Sequence, residues 1–321
     1  MGGRRAARKR QPSHLVTGLV LGLILGAGLA VGVLMAQRWS GERTSWGPAV
    51  PRRPAPEAPR AGAPAAPPPA RPPALPAQNP EESQAPAVVQ IPESRPAPAQ
   101  PGRARVAIIF DDAGYGIRAA QEIMAIGRPV TISVLPHLPY SAQIAEEAPA
   151  HHVEVILHLP VEPDNRGIRL GEGGITVAMS DPEIRETVAA DLASVPAAVG
   201  ANNHMGSLGT ADPRVMRAVM AEMKARHLFF IDSVTTRYSV AARVAREMGV
   251  PTAARAVFLD NQDTDDYVRG QFRLLMNLAH ARGQAIAIGH VGKVTARVLV
   301  SLLPAFDEAG IQLVRVSDLA R

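Results

Sequence analysis

The sequence predicts an α/β domain over residues 105–321, built as a distorted barrel of seven or eight parallel strands that alternate with helices. Two observations carry this prediction. Short apolar runs alternate with longer stretches of helical periodicity, a pattern that is typical of βα repeats and a parallel sheet. Six of the apolar runs also end in an acidic, amide or imidazole side chain, as expected where chemistry lies at the carboxyl ends of barrel strands.

The predicted strands are apolar runs at residues 106–110, 130–135, 154–159, 200–203, 229–231, 257–259, 285–288 and 312–314. Helical segments are predicted at 117–126, 182–194, 213–226, 240–248, 265–281 and 293–303. An open, doubly wound sheet is the alternative architecture. No Gly-x-Gly-x-x-Gly motif follows the first strand, so dinucleotide binding has no support.

Three segments precede the domain. Residues 1–14 form a basic tail, and residues 15–36 form an uncharged apolar run that is long enough to cross a hydrocarbon core. We expect 15–36 to be a single transmembrane anchor in the cytoplasmic membrane, with the basic tail in the cytoplasm and the domain on the periplasmic side. A cleaved signal peptide is the alternative. Residues 37–104 are rich in Pro and Ala, which predicts a disordered, extended linker.

Charge and cysteine content exclude several classes of function. The chain has a net charge of +5, but residues 106–321 contain 20 basic and 24 acidic side chains. A nucleic-acid-binding domain usually carries a basic patch of its own, so we expect no nucleic-acid partner. The chain has no Cys, which excludes disulfides and thiolate metal sites. Any metal ion must therefore be bound by imidazole, carboxylate or amide groups.

Three strand ends carry residues that are suited to a metal ion. Asp112 follows the first strand as the second of two adjacent carboxylates, and His158 and His204 end the third and fourth. One carboxylate and two imidazoles suit zinc or another divalent first-row ion and leave positions open for water. For the Asp pair a simple turn before Ala113 and Gly114 is the structural alternative.

Further polar residues at strand ends are candidates for catalysis or substrate contact. Asp111 can face the substrate while Asp112 faces the ion. His290 ends the seventh predicted strand and is placed to donate a proton, with a hydrogen-bonded scaffold role as the alternative. Glu162, Asn203 and Asp232 are candidates for contacting the substrate or for orienting metal-bound imidazoles.

Seven segments of the domain resemble the divergent polysaccharide deacetylase family, which is related to the NodB-type carbohydrate deacetylases. They are VAIIFDDAGYG, TISVLPHLPYS, EVILHLPVEP, GANNHMGSLGT, FFIDSVTTRYS, VFLDNQ and AIAIGHVGKVT. LHLPVEP and NNHMGS together are specific, whereas FDD alone is not. The segments extend across the whole predicted domain.

The resemblance implies a NodB-like distorted barrel and a divalent metal, with zinc as the expected ion. It also implies that Asp112 binds the metal, that Asp111 is the general base and that His290 is the general acid. One feature departs from the NodB-type pattern. Those enzymes take both metal histidines from one HxxxH motif, whereas here His158 and His204 come from separate segments.

Taken together, these features predict a metal-dependent hydrolase that removes an acetyl group from an N-acetylated glycan of the cell envelope. The alternative is a non-catalytic envelope protein that binds or scaffolds through the same metal-binding fold. No Trp falls within the domain, which weakens the case for a sugar groove lined by aromatic rings. The sequence gives no indication of oligomeric state.

Overall fold

The computed structural model describes residues 103–165 and 167–321. The tail at 1–14, the anchor predicted at 15–36 and nearly all of the linker predicted at 37–104 lie outside the described residues. Among the helices that the structure does describe, none is both long enough and apolar enough to cross a membrane.

Nine strands occur in the described residues: β1 (Ala104–Ala113), β2 (Thr131–Val134), β3 (Glu154–Val161), β4 (Gly200–Met205), β5 (Phe229–Asp232), β6 (Thr252–Ala254), β7 (Val257–Phe258), β8 (Gln284–His290) and β9 (Ile311–Val314). The α-helices between them are α1 (Ile117–Met124), α2 (Ser141–Glu147), α3 (Asp181–Ser194), α4 (Pro213–Ala225), α5 (Ala241–Met248), α6 (Asp265–Arg282) and α7 (Thr295–Glu308). The sequence does not predict β6, because its residues Thr252–Ala254 include no large apolar side chain.

All strand pairs in the sheet are parallel. The order is β6-β5-β4-β3-β2-β1-β8-β7, and β9 pairs with the first half of β1. Only Arg255 and Ala256 separate β6 from β7, and their backbone N–H groups bond to Asp232 and Ile286 on either side of the gap. The predicted barrel of parallel strands is therefore confirmed, with incomplete closure as its distortion.

Alternate residues of the strands face two different hydrophobic clusters. In β1, Val106, Ile108 and Phe110 pack in the large cluster that contains the helices. Ala107 and Ile109 belong to a smaller cluster inside the barrel, which the C-terminal segment joins through Leu319. Each fully buried Ile or Phe side chain contributes about 1.5–3 kcal/mol to the stability of the fold. We call the smaller cluster, which contains Ala107, Ile109 and Leu319, the apolar floor of the barrel.

The inward face of the strands becomes polar towards their carboxyl ends. In three strands an inward isoleucine is followed two residues later by a titratable side chain: Ile109 by Asp111, Ile156 by His158 and Ile288 by His290. The period of two along a strand sets this alignment. A polar layer thus lies directly above the apolar floor, inside the strands rather than in flexible loops.

Candidate active site

The end of β1 brings two adjacent carboxylates towards the same site. Neighbouring strand residues normally point to opposite faces, but Asp112 has a φ of +63°, and the pairing of β1 with β2 shifts register between Phe110 and Ala113. An Asp in the left-handed region is uncommon and mildly strained. This local distortion allows Asp112 to approach the histidines, although Asp111 occupies the regular inward position.

Three ligand atoms from separate strands converge at the carboxyl edge. Asp112 Oδ1 lies 3.3 Å from His158 Nε2 and 3.1 Å from His204 Nδ1. The two imidazole nitrogens are 3.1 Å apart. These three residues could hold a metal ion. Two ligand atoms at 2.0–2.1 Å from a tetrahedrally coordinated divalent ion lie about 3.3 Å apart, so the observed spacing is compatible with one ion bound by all three residues.

The donor chemistry also fits a cation. Asp112 Oδ1 is buried, and it faces an imidazole nitrogen of each of the two histidines. A proton on His204 Nδ1 can be donated to either Asp112 Oδ1 or His158 Nε2 but not to both, whereas a cation can be bound by all three atoms. Burial disfavours ionisation of Asp112, but the positive charge of His204 acts in the opposite direction, and the pKa of the carboxyl lies well below its usual range. The Asp112 side chain is 24% exposed, which leaves one side of the site open to solvent.

Asn202 fixes the orientation of the His158 ring. Its Oδ1 lies 2.9 Å from His158 Nδ1, and because an amide oxygen only accepts, Nδ1 carries the proton. Nε2 is then left with its lone pair towards Asp112. Ser133 Oγ donates to the same amide oxygen. A ligand histidine usually has its second nitrogen bonded in this way.

The same amide also holds Asp111. Asn202 Nδ2 lies 2.9 and 3.1 Å from the two carboxylate oxygens of Asp111 and 3.2 Å from Ser233 Oγ. Asp111 is only 2% exposed, and its Oδ2 is 3.6 Å from His158 Nε2. The position assigned to a general base therefore lies beside the candidate ligands.

A His–Asp pair faces the triad from β8. His290 Nδ1 lies 2.8 Å from Asp260 Oδ1, and the His290 backbone N–H donates to Asp260 Oδ2 at 2.7 Å. Thr295 Oγ1 donates to the same oxygen at 2.6 Å. A Cβ at Gly289 would lie only 3.0 Å from Asp260 Oδ2, so glycine allows the carboxylate to approach. The charge of His290 contributes to the low pKa of Asp112, which places the ring within electrostatic reach of the triad.

The remaining three predicted residues lie outside this cluster and bond mainly to the backbone. Asn203 points away from Asn202, and its amide bonds to the Met205 carbonyl and the Ser233 N–H. Glu162 accepts from the Val177 N–H at 2.6 Å and so holds the loop that follows β3.

Asp232 supports the start of α5. It accepts from Ser239 Oγ at 2.7 Å and from the Ala242 N–H at 3.4 Å. Burial raises the pKa of its carboxyl despite these bonds and the charge of Arg255. Its contacts are those of a group that shapes the β5–α5 turn.

Sequence reasoning did not assign a role to Asn202 or Asp260, which contact the site most directly. The strand period was the available signal for Asn202. If His204 faces inward, then Asn202 does too and Asn203 does not. Asp260 follows a strand of only two residues, so no periodicity identified its direction.

Comparison with other proteins gives the chain a family. The model of divergent polysaccharide deacetylases matches residues 108–320. An uncharacterized protein from Haemophilus influenzae is 35% identical over 219 residues, covering 68% of this chain and 78% of its own. The uncharacterized protein YibQ from Escherichia coli is 35% identical over 215 residues, which is 67% of each chain.

A solved structure supports the fold independently. The crystal structure of an uncharacterized protein from Agrobacterium tumefaciens matches with a TM-score of 0.65 at 21% identity, covering 68% of this chain and 90% of that one. The family-model match confirms the resemblance seen in the seven sequence segments. The chain belongs to the divergent polysaccharide deacetylase family.

Proposed function

We propose that the chain is a metal-dependent deacetylase that hydrolyses the acetamide of an N-acetylated glycan in the cell envelope. The family implies a glycan substrate. The observation that carries the catalytic proposal is the His290–Asp260 pair beside the converging atoms of Asp112, His158 and His204. Acid–base catalysis needs an oriented imidazole in addition to the metal ligands, and this pair supplies one.

The proposed reaction needs one base, one acid and one electrophilic centre. A divalent ion at the triad, with zinc as our proposed identity, would polarise the acetyl carbonyl and lower the pKa of water. Asp111 is held by Asn202 with both carboxylate oxygens beside the triad, where it can accept a proton from the attacking water. His290 can deliver a proton to the departing amine, with Asp260 fixing the ring.

A direct test combines metal analysis with product analysis. The purified full-length chain is expected to contain one divalent ion per molecule and to release acetate from N-acetylated glycans. His204→Ala is expected to lose both properties. Ser239→Ala, which removes a bond to Asp232 outside the cluster, is the matched control. If the wild type contains a full complement of metal but releases no acetate from any glycan, the proposed deacetylase activity is wrong. If the wild type contains no metal, the proposed metal site is wrong.

We also propose that residues 15–36 anchor the chain in the cytoplasmic membrane, with the deacetylase domain outside. The apolar run and the basic tail before it support this orientation. Protease added to intact spheroplasts is expected to digest the domain while leaving a cytoplasmic marker protein intact. Protection of the domain until the cells are lysed contradicts the orientation.

A further inference from the structure

Strand β9 has a free edge. It pairs with the first half of β1, and no other strand in the part of the chain that the structure describes pairs with it. A strand that is bonded on one side only presents unpaired N–H and C=O groups along its other side. Such an edge can accept an extended segment as a further strand of the sheet.

The free edge of β9 borders a groove of about 580 Å³. The opposite wall is formed by the residues that lead into β3 and β4, where the Val199 N–H donates to the Val155 carbonyl. Val199 is 45% exposed, so this wall presents a large apolar side chain to solvent. We call this surface the edge groove, and its apolar lining consists of Pro129, Val153, Val155, Ala197, Val199 and Leu313.

The carboxylates of the edge groove are bonded within the domain. Glu154 accepts from Thr131 Oγ1 at 3.0 Å and from the Ser317 N–H at 3.1 Å. Asp318 accepts from the Arg315 N–H at 3.2 Å and lies 3.7 Å from its guanidinium. An occupant therefore needs no charge of its own to match these groups, and an apolar segment with an extended backbone is best suited to the groove.

The chain enters the domain beside the edge groove. Arg103, the first residue that the structure describes, lines a second cavity of about 360 Å³. That cavity shares Pro129, Gln312 and Leu313 with the edge groove, so the two adjoin along β9. The residues that precede Arg103 therefore begin next to the groove.

One run in the preceding sequence has the composition of a strand. Residues 37–102 contain five Val, Leu and Ile residues, and three of them lie in the run AVVQI at 87–91. A proline stands immediately before and immediately after this run, but none falls within it. β-branched residues favour strands, and the alternation of a strand would place Val89 and Ile91 on the same face.

We propose that residues 87–91 bind in the edge groove as an additional strand beside β9. The backbone of the run pairs with the free edge, and Val89 and Ile91 pack against the wall that contains Val199. The chain from Ile91 to Arg103 can span about 40 Å when extended, which exceeds the length of about 13 Å expected for the four residues of β9.

This interaction is independent of the proposed function. The edge groove lies at the amino ends of β3 and β4, whereas the metal triad lies at the carboxyl ends of the strands. Binding of residues 87–91 would leave residues 37–86 as the spacer between the predicted anchor and the domain.

Hydrogen exchange on the purified full-length chain tests the proposal. The amides of β9 that point away from β1 are expected to exchange at least about tenfold more slowly in wild type than in the double variant Val89→Lys, Ile91→Lys. Val50→Lys, elsewhere in the linker, is the matched control and should keep the protection. Val199→Lys is expected to lose it, whereas Val300→Lys, at a site on α7 that is 48% exposed, should not.

Disulfide formation gives a second measurement. The chain has no Cys, so Val199→Cys combined with either Val89→Cys or Ile91→Cys contains a single pair of thiols. Mild oxidation is expected to join one of these pairs within the chain, because a disulfide requires Cβ atoms about 4 Å apart. Val199→Cys combined with Val50→Cys is the control.

Three outcomes would overturn the proposal. Equal exchange of the β9 amides in wild type and in the lysine variants would show that residues 87–91 do not cover the edge. Protection that falls when the protein is diluted would assign the groove to a second copy of the chain. A disulfide yield no higher than that of the Val50→Cys control would exclude contact between the run and Val199.

Discussion

Asn202 Oδ1 lies 2.9 Å from His158 Nδ1, and the amide nitrogen of the same side chain contacts both carboxylate oxygens of Asp111. One amide therefore orients a candidate metal ligand and the candidate base at once. The two functions are coupled through it, because any rotation of the amide would present the wrong group to each partner. An Asn at this position is suited to both tasks because it donates on one side and accepts on the other.

Asn202→Ala is expected to weaken metal binding by about tenfold to a hundredfold, the usual effect of removing a partner that orients a ligand histidine. The cause is the loss of the bond that keeps the proton on His158 Nδ1. Competition with a coloured chelator measures the affinity. Ser239→Ala is the control, and an unchanged affinity in Asn202→Ala contradicts the role given to the amide.

Metal binding is expected to stabilise the wild type because the three ligand atoms are assembled only in the folded chain. A hundredfold excess of free zinc over Kd adds about 2.7 kcal/mol to the free energy of unfolding. Asp112→Asn should lose most of this gain. Thermal unfolding with zinc and with chelator measures the difference. A zinc-dependent rise in Tm that is equal in both proteins would mean that the ion binds elsewhere.

His290→Gln is expected to lower kcat by about a hundredfold to ten-thousandfold, the usual contribution of a general acid or base. The bound metal should be retained, because His290 is not one of the three converging ligands. His280→Gln, near the end of α6, is the matched histidine control. Loss of metal together with activity would instead make His290 a ligand, and normal kcat would exclude it as the acid.

Asp191 in α3 is expected to make stability depend on pH. It is fully buried, with Oδ1 2.8 Å from His137 Nε2 and Oδ2 without a partner. Burial raises the pKa of its carboxyl from 3.8 to about 7, although His137 acts in the opposite direction. Between these values the folded chain keeps a proton that the unfolded chain has lost. Stability should therefore fall as pH rises from about 4 to about 7.

Asp191→Asn should remove this fall, which is at most on the order of 4 kcal/mol. Denaturant unfolding in the presence of chelator, measured across that pH range, compares the two proteins. Asp307→Asn, which alters an exposed ion pair with Arg128, is the surface control. If wild type and Asp191→Asn have parallel pH curves, Asp191 is ionised in the fold across the whole range.

The fold was predictable because most of its helices and strands are marked by local sequence signals. The α6 helix, for example, begins after Thr264 with Asp265 and Asp266 in its first turn and ends at Gly283 in the left-handed region, all of which are sequence signals. Strand β7 falls within the run predicted at residues 257–259 but β6 was not predicted, so the incomplete closure between them was not predictable. Their pairing is imposed by neighbouring strands.

The candidate site was predictable at the level of which strand ends carry it, but not in every side-chain direction. The inward directions of the His158 and His204 side chains follow from the alternation of residues along a strand. The direction of Asp112 does not, since Asp112 reaches the same site as Asp111 only through a positive φ that no pattern indicates. Asp232 and Glu162 look equally polar in sequence, yet they bond mainly to local backbone groups.

Because the backbone at Asp112 is left-handed, aspartate is not the residue that would give the most stable fold at this position. Glycine adopts that conformation at no steric cost, so a glycine there would relieve strain while deleting the carboxylate. A directed-evolution campaign that rewarded heat resistance alone would favour this exchange and discard the chemistry. Libraries designed to raise the thermal stability of the domain should therefore keep residue 112 constant and vary the apolar floor of the barrel and the outer helices instead.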